Sequence, residues 1–190
     1  KTLLRLCSRY ILGALLTSAA LVFSLTYLLG LVDRPSTILW AIICGYAAAI
    51  GVVVTFFYYR SGPGTLLWLP RGVANFLNER AKKTKSGVES FSLGVMTTLA
   101  ELPFIIAPVA IVAMMFRGGA TINRVIGELG FVMLAALPLV IILSLISGGV
   151  KISRIQKWRE KNKGFLQVTA GLGLIVVSGY LYVSYCMGAA

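Results

Sequence analysis

Apolar residues fall along this chain in five long runs separated by short polar or basic connections. The runs cover residues 10–32, 37–59, 89–116, 130–150 and 165–187. Each is long enough, as a helix rising roughly 1.5 Å per residue, to cross about 30 Å of hydrocarbon. The pattern predicts an all-α polytopic membrane protein with five transmembrane helices. Its connections alternate in charge. Fifteen of the eighteen Lys and Arg residues sit in the N-terminal tail and in the second and fourth connections, leaving only Arg34, Arg117 and Arg124 for the other two. Short loops rich in Lys and Arg stay on the cytoplasmic side. The N-terminus is therefore expected inside and the C-terminus outside, in a multi-pass protein of the inner cell membrane.

The same pattern divides the chain. Residues 1–59 read as a transmembrane hairpin, because Asp33-Arg34-Pro35-Ser36 is a short turn and a short connection favours antiparallel neighbours. Residues 60–88 read as a basic cytoplasmic loop. Within it Val73, Phe76 and Leu77 share one helical face, Trp68 supplies an interfacial anchor, and Arg80, Lys82 and Lys83 form a charged end. That combination predicts a short interfacial amphipathic helix. Residues 89–190 read as a three-helix transmembrane half.

Composition narrows the function classes. Hydrophobic residues make up 58% of the chain, above the roughly 45–50% of soluble domains. The net charge of +12 would fit nucleic acid, but the cations lie beside the ends of apolar runs, where they meet anionic membrane lipids. Nucleic acid is not expected as a partner; a homo-oligomer or a larger membrane complex is. With no histidine in the chain, the commonest general base and transition-metal ligand is missing. Cys7, Cys44 and Cys186 are far apart and form no CxxC pair, and Asp33, Glu79, Glu89, Glu101, Glu128 and Glu160 form no ligand-spaced cluster. No cofactor, metal site or enzymatic activity is expected.

Within the spans expected here, Glu101 is the only acid away from a span end. A carboxylate at bilayer depth costs at least a few kcal/mol unless it meets water, a cavity or a partner. Ser90, Gly94, Thr97 and Glu101 recur at helical spacing, with Thr98 adjacent and Pro108 continuing the line. Such a small, polar stripe packs on protein or water rather than lipid. Pro103 and Pro108 each remove a helical hydrogen bond, which predicts a bend or interruption over 99–108. A broken helix beside a buried carboxylate is the arrangement of transporter binding sites. No Lys or Arg falls within the expected spans, and low dielectric disfavours the charged form, so the residue is suited to carrying a proton or coordinating a cation. A purely structural carboxylate bonded to neighbouring hydroxyls is the competing reading. Thr17, Ser144, Gln167 and Ser178 are the candidate partners from the other helices.

Two features resemble the LysE-type transporter superfamily, which includes CcdA- and DsbD-like membrane proteins. One is the small-residue helix with an internal proline, Ser92-Leu-Gly94-Val-Met-Thr-Thr-Leu-Ala-Glu101-Leu-Pro103. The other is a basic linker, Trp158-Arg-Glu-Lys-Asn-Lys163, running into a last helix with Gly171, Gly173 and Gly179. The resemblance covers the last three helices and implies a three-plus-three inverted repeat, here incomplete, whose missing helix would precede Lys1. The thiol carriers of that superfamily place a cysteine beside the proline. Glu101 and Leu102 stand there instead, which argues against a disulfide relay.

Two functions follow as expectations. The first is a transporter-like protein moving a small solute or ion, with Glu101 as the proton- or cation-coupling group and Gly94, Thr97, Thr98, Pro103 and Pro108 around it. The alternative is a non-catalytic structural subunit of a larger membrane complex.

Overall fold

The computed structural model describes residues 2–31, 37–57, 76–77, 79–81, 83–84, 86–150 and 152–188. The regular elements among them are helices: α1 (Thr2–Gly30), α2 (Thr37–Phe57), α3 (Gly87–Ala100), α4 (Leu102–Phe116), α5 (Thr121–Ser147), α6 (Ile152–Lys161) and α7 (Lys163–Tyr182). A single π-helical turn, Val183–Met187, extends α7. The interfacial helix expected within 60–88, including Trp68 and Val73, lies largely outside the described residues.

Helices α1, α2, α5 and α7 are long and apolar enough to cross a membrane, and α3 and α4 meet the same test together as a pair bent by 77°. The ends of that pair lie at opposite ends of α1. Gly87 adjoins the Arg9 side chain, and the Ser90 hydroxyl donates to the Leu6 carbonyl at 2.6 Å. At the other end Arg117 donates to the Leu29 carbonyl at 3.1 Å. The bent pair thus extends along the length of α1, so the described residues hold four membrane-length helices, or five crossings where the pair counts as one span. Large apolar side chains cover the outside of the long helices, among them Ile38, Phe56, Met133 and Tyr180, each at least 65% exposed. An exterior of this kind suits hydrocarbon better than water.

Glycines choose the neighbours. In α1 and α3, which run parallel, Gly13 faces the Phe91 backbone and Gly94 faces the Tyr10 carbonyl. In α2 and α7, which run antiparallel, a Cβ on Gly51 would come within 2.8 Å of the Gly171 carbonyl, and one on Gly171 would come as close to that of Gly51. Small residues let backbones approach where side chains would hold them apart. The main packing partners are therefore not the sequence neighbours. Rather than lining up on each other, α1 packs along α3 and α2 along α7, with α4 touching both α1 and α2. Within 89–190, α3 and α7 find their main partners in α1 and α2.

The core has two parts. Trp40, Ile43, Cys44 and Ala47 of α2 bury Ala107, Ile111 and Met114 of α4 against Leu181 of α7, and Trp40 stacks on Tyr185 with ring centroids 4.2 Å apart. Val22 of α1, Val109 of α4 and Val132 of α5 form the second cluster.

Ser86, at the start of α3, and Ser153, on α6, belong to the same end of the bundle, because Ile146 near the end of α5 shares a cavity with Leu6, Thr84 and Ser90. Single cysteines placed at these two positions are expected to label from the same side of sealed vesicles. Labelling from opposite sides would remove the five-crossing topology.

Candidate functional site

The break between α3 and α4 is built from local rules. Ser86 and Glu89 open α3 with a reciprocal cap: the Ser86 hydroxyl accepts from the Glu89 amide at 3.2 Å and the Glu89 carboxylate accepts from the Ser86 amide at 3.3 Å. This is a capping box. The ladder of α3 ends where the Glu101 amide donates to the Thr97 carbonyl at 3.0 Å, and α4 starts where the Glu101 carbonyl accepts from Phe104 at 2.9 Å and Ile105 at 3.1 Å. Glu101 has φ −84° and ψ 1°, in the bridge region where many active-site residues sit. Pro103 falls in the first turn of α4, where a missing N–H costs little. The Tyr46 hydroxyl of α2 donates to the Pro103 carbonyl at 2.6 Å, which ties the start of α4 to α2. Pro108 lies within α4 without interrupting it. The bend therefore belongs to Glu101 and Pro103 rather than to both prolines.

The half-buried Glu101 side chain faces a cavity of about 330 Å³ between α1, the break and α5. Thr98 and Ser18 add two hydroxyls to a wall that is otherwise apolar, including Ile105, Pro108, Phe131 and Ala136. The Thr98 hydroxyl is already donated to the Gly94 carbonyl at 3.1 Å. Among the described residues the Glu101 carboxylate has no ion-pair partner. Leu139 is shared with a second cavity of about 320 Å³, which continues past Tyr10 and Leu93 toward Thr84 and Ser90 at the basic end. In the opposite direction Val22, Val109 and Val132 close the space, each at most 4% exposed. The Glu101 chamber thus shares its Leu139 wall with the cavity at the basic end, and a plug of three packed valines lies on its other side.

The predicted stripe divides among several tasks. Thr98, Glu101 and Pro108 reach the chamber. Gly94 is consumed in the α1 crossing. Thr97 donates back to the Leu93 carbonyl at 2.9 Å and interacts with the Tyr10 phenol. None of the four candidate partners lines the chamber. Thr17 bonds back to the Gly13 carbonyl at 2.8 Å, and the exposed Ser144 to that of Val140 at 2.9 Å. Gln167 donates to the Val54 and Thr55 carbonyls at 2.6 and 3.0 Å, supplying partners for the end of α2. Ser178 is buried and donates to the Ile175 carbonyl at 2.9 Å. The last two sit on α7, whose stripe is used up by α2. Ser18 takes the place expected for Thr17 because α1 turns its neighbouring face to the chamber.

Glu128 was missed by the reading of the sequence. The fourth apolar run was expected to begin at 130, but α5 begins at Thr121. It carries Arg124 and Glu128 inside the helix, so the spans hold a second acid and a cation. Glu128 is fully buried, and its Oε1 accepts from Arg124 Nε at 3.3 Å. It lies on the face of α5 that continues through Val132 and Ala136 to the Glu101 chamber, one turn beyond the valine plug. Thr26, also fully buried, holds the equivalent position one turn past Val22 on α1. The available signal was the Arg-to-Glu spacing of four, which lets two charges share one helical face.

The class these observations define, among the described residues, is an all-α protein with helices long and apolar enough to cross a membrane and one helix pair bent by 77°. No protein-family model, curated protein or solved structure matches the chain.

Proposed function

We propose that the protein moves a small solute or ion across a membrane, with Glu101 as its proton- or cation-binding group. One observation carries this reading: an acid with no ion-pair partner among the described residues, at a helix break, lines a chamber inside the bundle, next to a second cavity at the basic end. A buried charge without a counter-charge is costly. Uptake of a proton or cation at Glu101 lowers that cost, and release restores it, so loading of the chamber and charge on Glu101 are coupled. The two half-helices give the device a hinge. Tyr46 holds α4 at Pro103, while α3 is fixed to α1 through Gly94, so relative motion of the halves would act on the valine plug between them.

A second reading, a non-catalytic subunit of a membrane complex, draws on α5, only 11% of whose membrane-length window is buried. Such a helix leaves a broad apolar face for partner chains as well as for lipid.

Flux of small ions and zwitterions in proteoliposomes, screened across a pH gradient, separates the two. Glu101→Gln keeps the side-chain volume and is expected to leave thermal stability in detergent unchanged while abolishing pH-coupled flux. Wild-type flux with unchanged pH dependence in that variant would overturn the coupling role. A silent Gln variant combined with poor assembly of Glu101→Ala supports the subunit.

A further inference from the structure

Helix α5 packs on α1 and α7 packs on α2, and residues of α5, α6 and α7 together line an opening. The opening is an apolar groove of about 880 Å³, walled by Pro138, Ile141, Ile142 and Leu145 of α5, Leu166 of α7, and Trp158 of α6. Arg154 and Arg159 stand at its rim. Beside it lies a polar cleft of about 600 Å³ formed by Gly148, Gly149, Val150, Ser153, Arg154 and Lys157, and Val150 and Arg154 belong to both spaces. A cationic cleft that opens directly into a membrane-facing apolar groove is shaped for an amphiphile with an anionic head.

We propose that this composite site binds an anionic phospholipid, with the phosphate in the cleft and the acyl chains in the groove. Charge complementarity selects the occupant. Arg154, Lys157 and Arg159 have no ion-pair partner among the described residues, and Glu160, the one carboxylate of α6, lines neither space. Guanidinium groups match phosphate oxygens in a two-pronged geometry. Ser153 adds a hydroxyl donor to the cleft. Trp158 is 57% exposed, and an indole at this level sits where membrane-interface tryptophans belong. An apolar chain in the groove also covers the flanks of α5 and α7 that no helix covers. The proposal rests on the membrane reading of the chain and not on transport.

The test uses the full chain purified in detergent and incubated with equal amounts of phosphatidylglycerol and phosphatidylcholine carrying identical acyl chains. Lipid retained on the folded protein is counted by native mass spectrometry. The wild type is expected to retain phosphatidylglycerol preferentially. Arg154→Gln combined with Lys157→Gln, which removes both cations of the cleft, is expected to lower that preference about 30-fold, as removal of two surface-level cations would. Arg80→Gln combined with Lys83→Gln, which removes two cations elsewhere, should leave it intact. Equal losses in the two double variants would reduce the site to general basic attraction and overturn the proposal. So would full displacement of the lipid by soluble glycerol phosphate, which fills the cleft but not the groove. A wild type that retains neither lipid and runs as a dimer would overturn it in favour of a second copy of the chain. Leu145→Trp, which narrows the groove and leaves every cation in place, gives an independent check: retention should fall while size-exclusion behaviour stays that of the wild type.

Discussion

Replacing Gly94 by valine is expected to leave little folded protein. A Cβ at this position falls on the Tyr10 carbonyl and comes within 3.0 Å of the Ala14 amide nitrogen. Both obstacles are backbone, so no rotamer change relieves the clash, and α1 and α3 must slide apart. That motion also separates Ser90 from Leu6 and disturbs the face of α3 that leads to Glu101. Overpacking a well-fitted core already costs about 1–3 kcal/mol where side chains can yield. A backbone obstacle should exceed that range, and native proteins hold only about 5–15 kcal/mol in total. Even Gly94→Ala is expected to lower the thermal midpoint in detergent markedly, with Gly13→Ala behaving alike because its Cβ meets the Phe91 carbonyl. The contrast lies in the same chain. Gly173 and Gly179 have nothing within 4 Å of an added Cβ, so alanine there should be neutral or raise stability by about 0.5–1 kcal/mol through helix propensity. Thermal unfolding of the four alanine variants decides the matter. Equal midpoints for Gly94→Ala and Gly173→Ala would show that α1 and α3 do not cross at these glycines.

The same residues show how far the sequence could be read. The apolar runs, the bend at Pro103 and the small-residue faces are local properties, carried by consecutive or helically spaced positions. Glu101 stood out for the same reason, as an acid deep within one run. Partner choice is not local. Nothing in the spacing of Gly13, Gly51, Gly94 and Gly171 says which pairs will cross, and the short turn after Gly30 does not reveal that α1 packs mainly on α3. The partners suggested for Glu101 failed similarly: Gln167 and Ser178 share a polar face, but α2 occupies it. The beginning of α5 was hidden by its own chemistry. Asn123, Arg124 and Glu128 read as a polar loop because each lowers the apparent hydropathy, although Arg124 and Glu128 neutralise each other on a single face.

That pair yields the second large effect. Arg124→Ala is expected to destabilise the protein by about 3–5 kcal/mol, the usual cost of stripping a buried carboxylate of its partner. Glu128 is fully buried whereas the Arg124 side chain is 27% exposed, so the cation is the replaceable member and the acid is the one left stranded. Glu128 Oε2 has no hydrogen-bond partner among the described residues even with Arg124 present, so nothing nearby stands ready to compensate. Neutralising the acid should restore what the alanine removes: Arg124→Ala combined with Glu128→Gln is expected to recover most of the lost stability, and Arg124→Met combined with Glu128→Leu to match or exceed the wild type, as well-packed apolar replacements of buried pairs often do. Denaturant unfolding in mixed micelles of the wild type, Arg124→Ala, Glu128→Gln and their combination supplies the four values of the cycle. Additive losses in the Ala/Gln double variant would mean that Arg124 and Glu128 do not act on each other. If the pair also takes part in opening the valine plug, the Met/Leu variant should be stable yet slow in flux, because an apolar turn beyond Val132 offers no polar group to an ion leaving the Glu101 chamber. Stability and flux that rise together in that variant would confine the pair to a structural role.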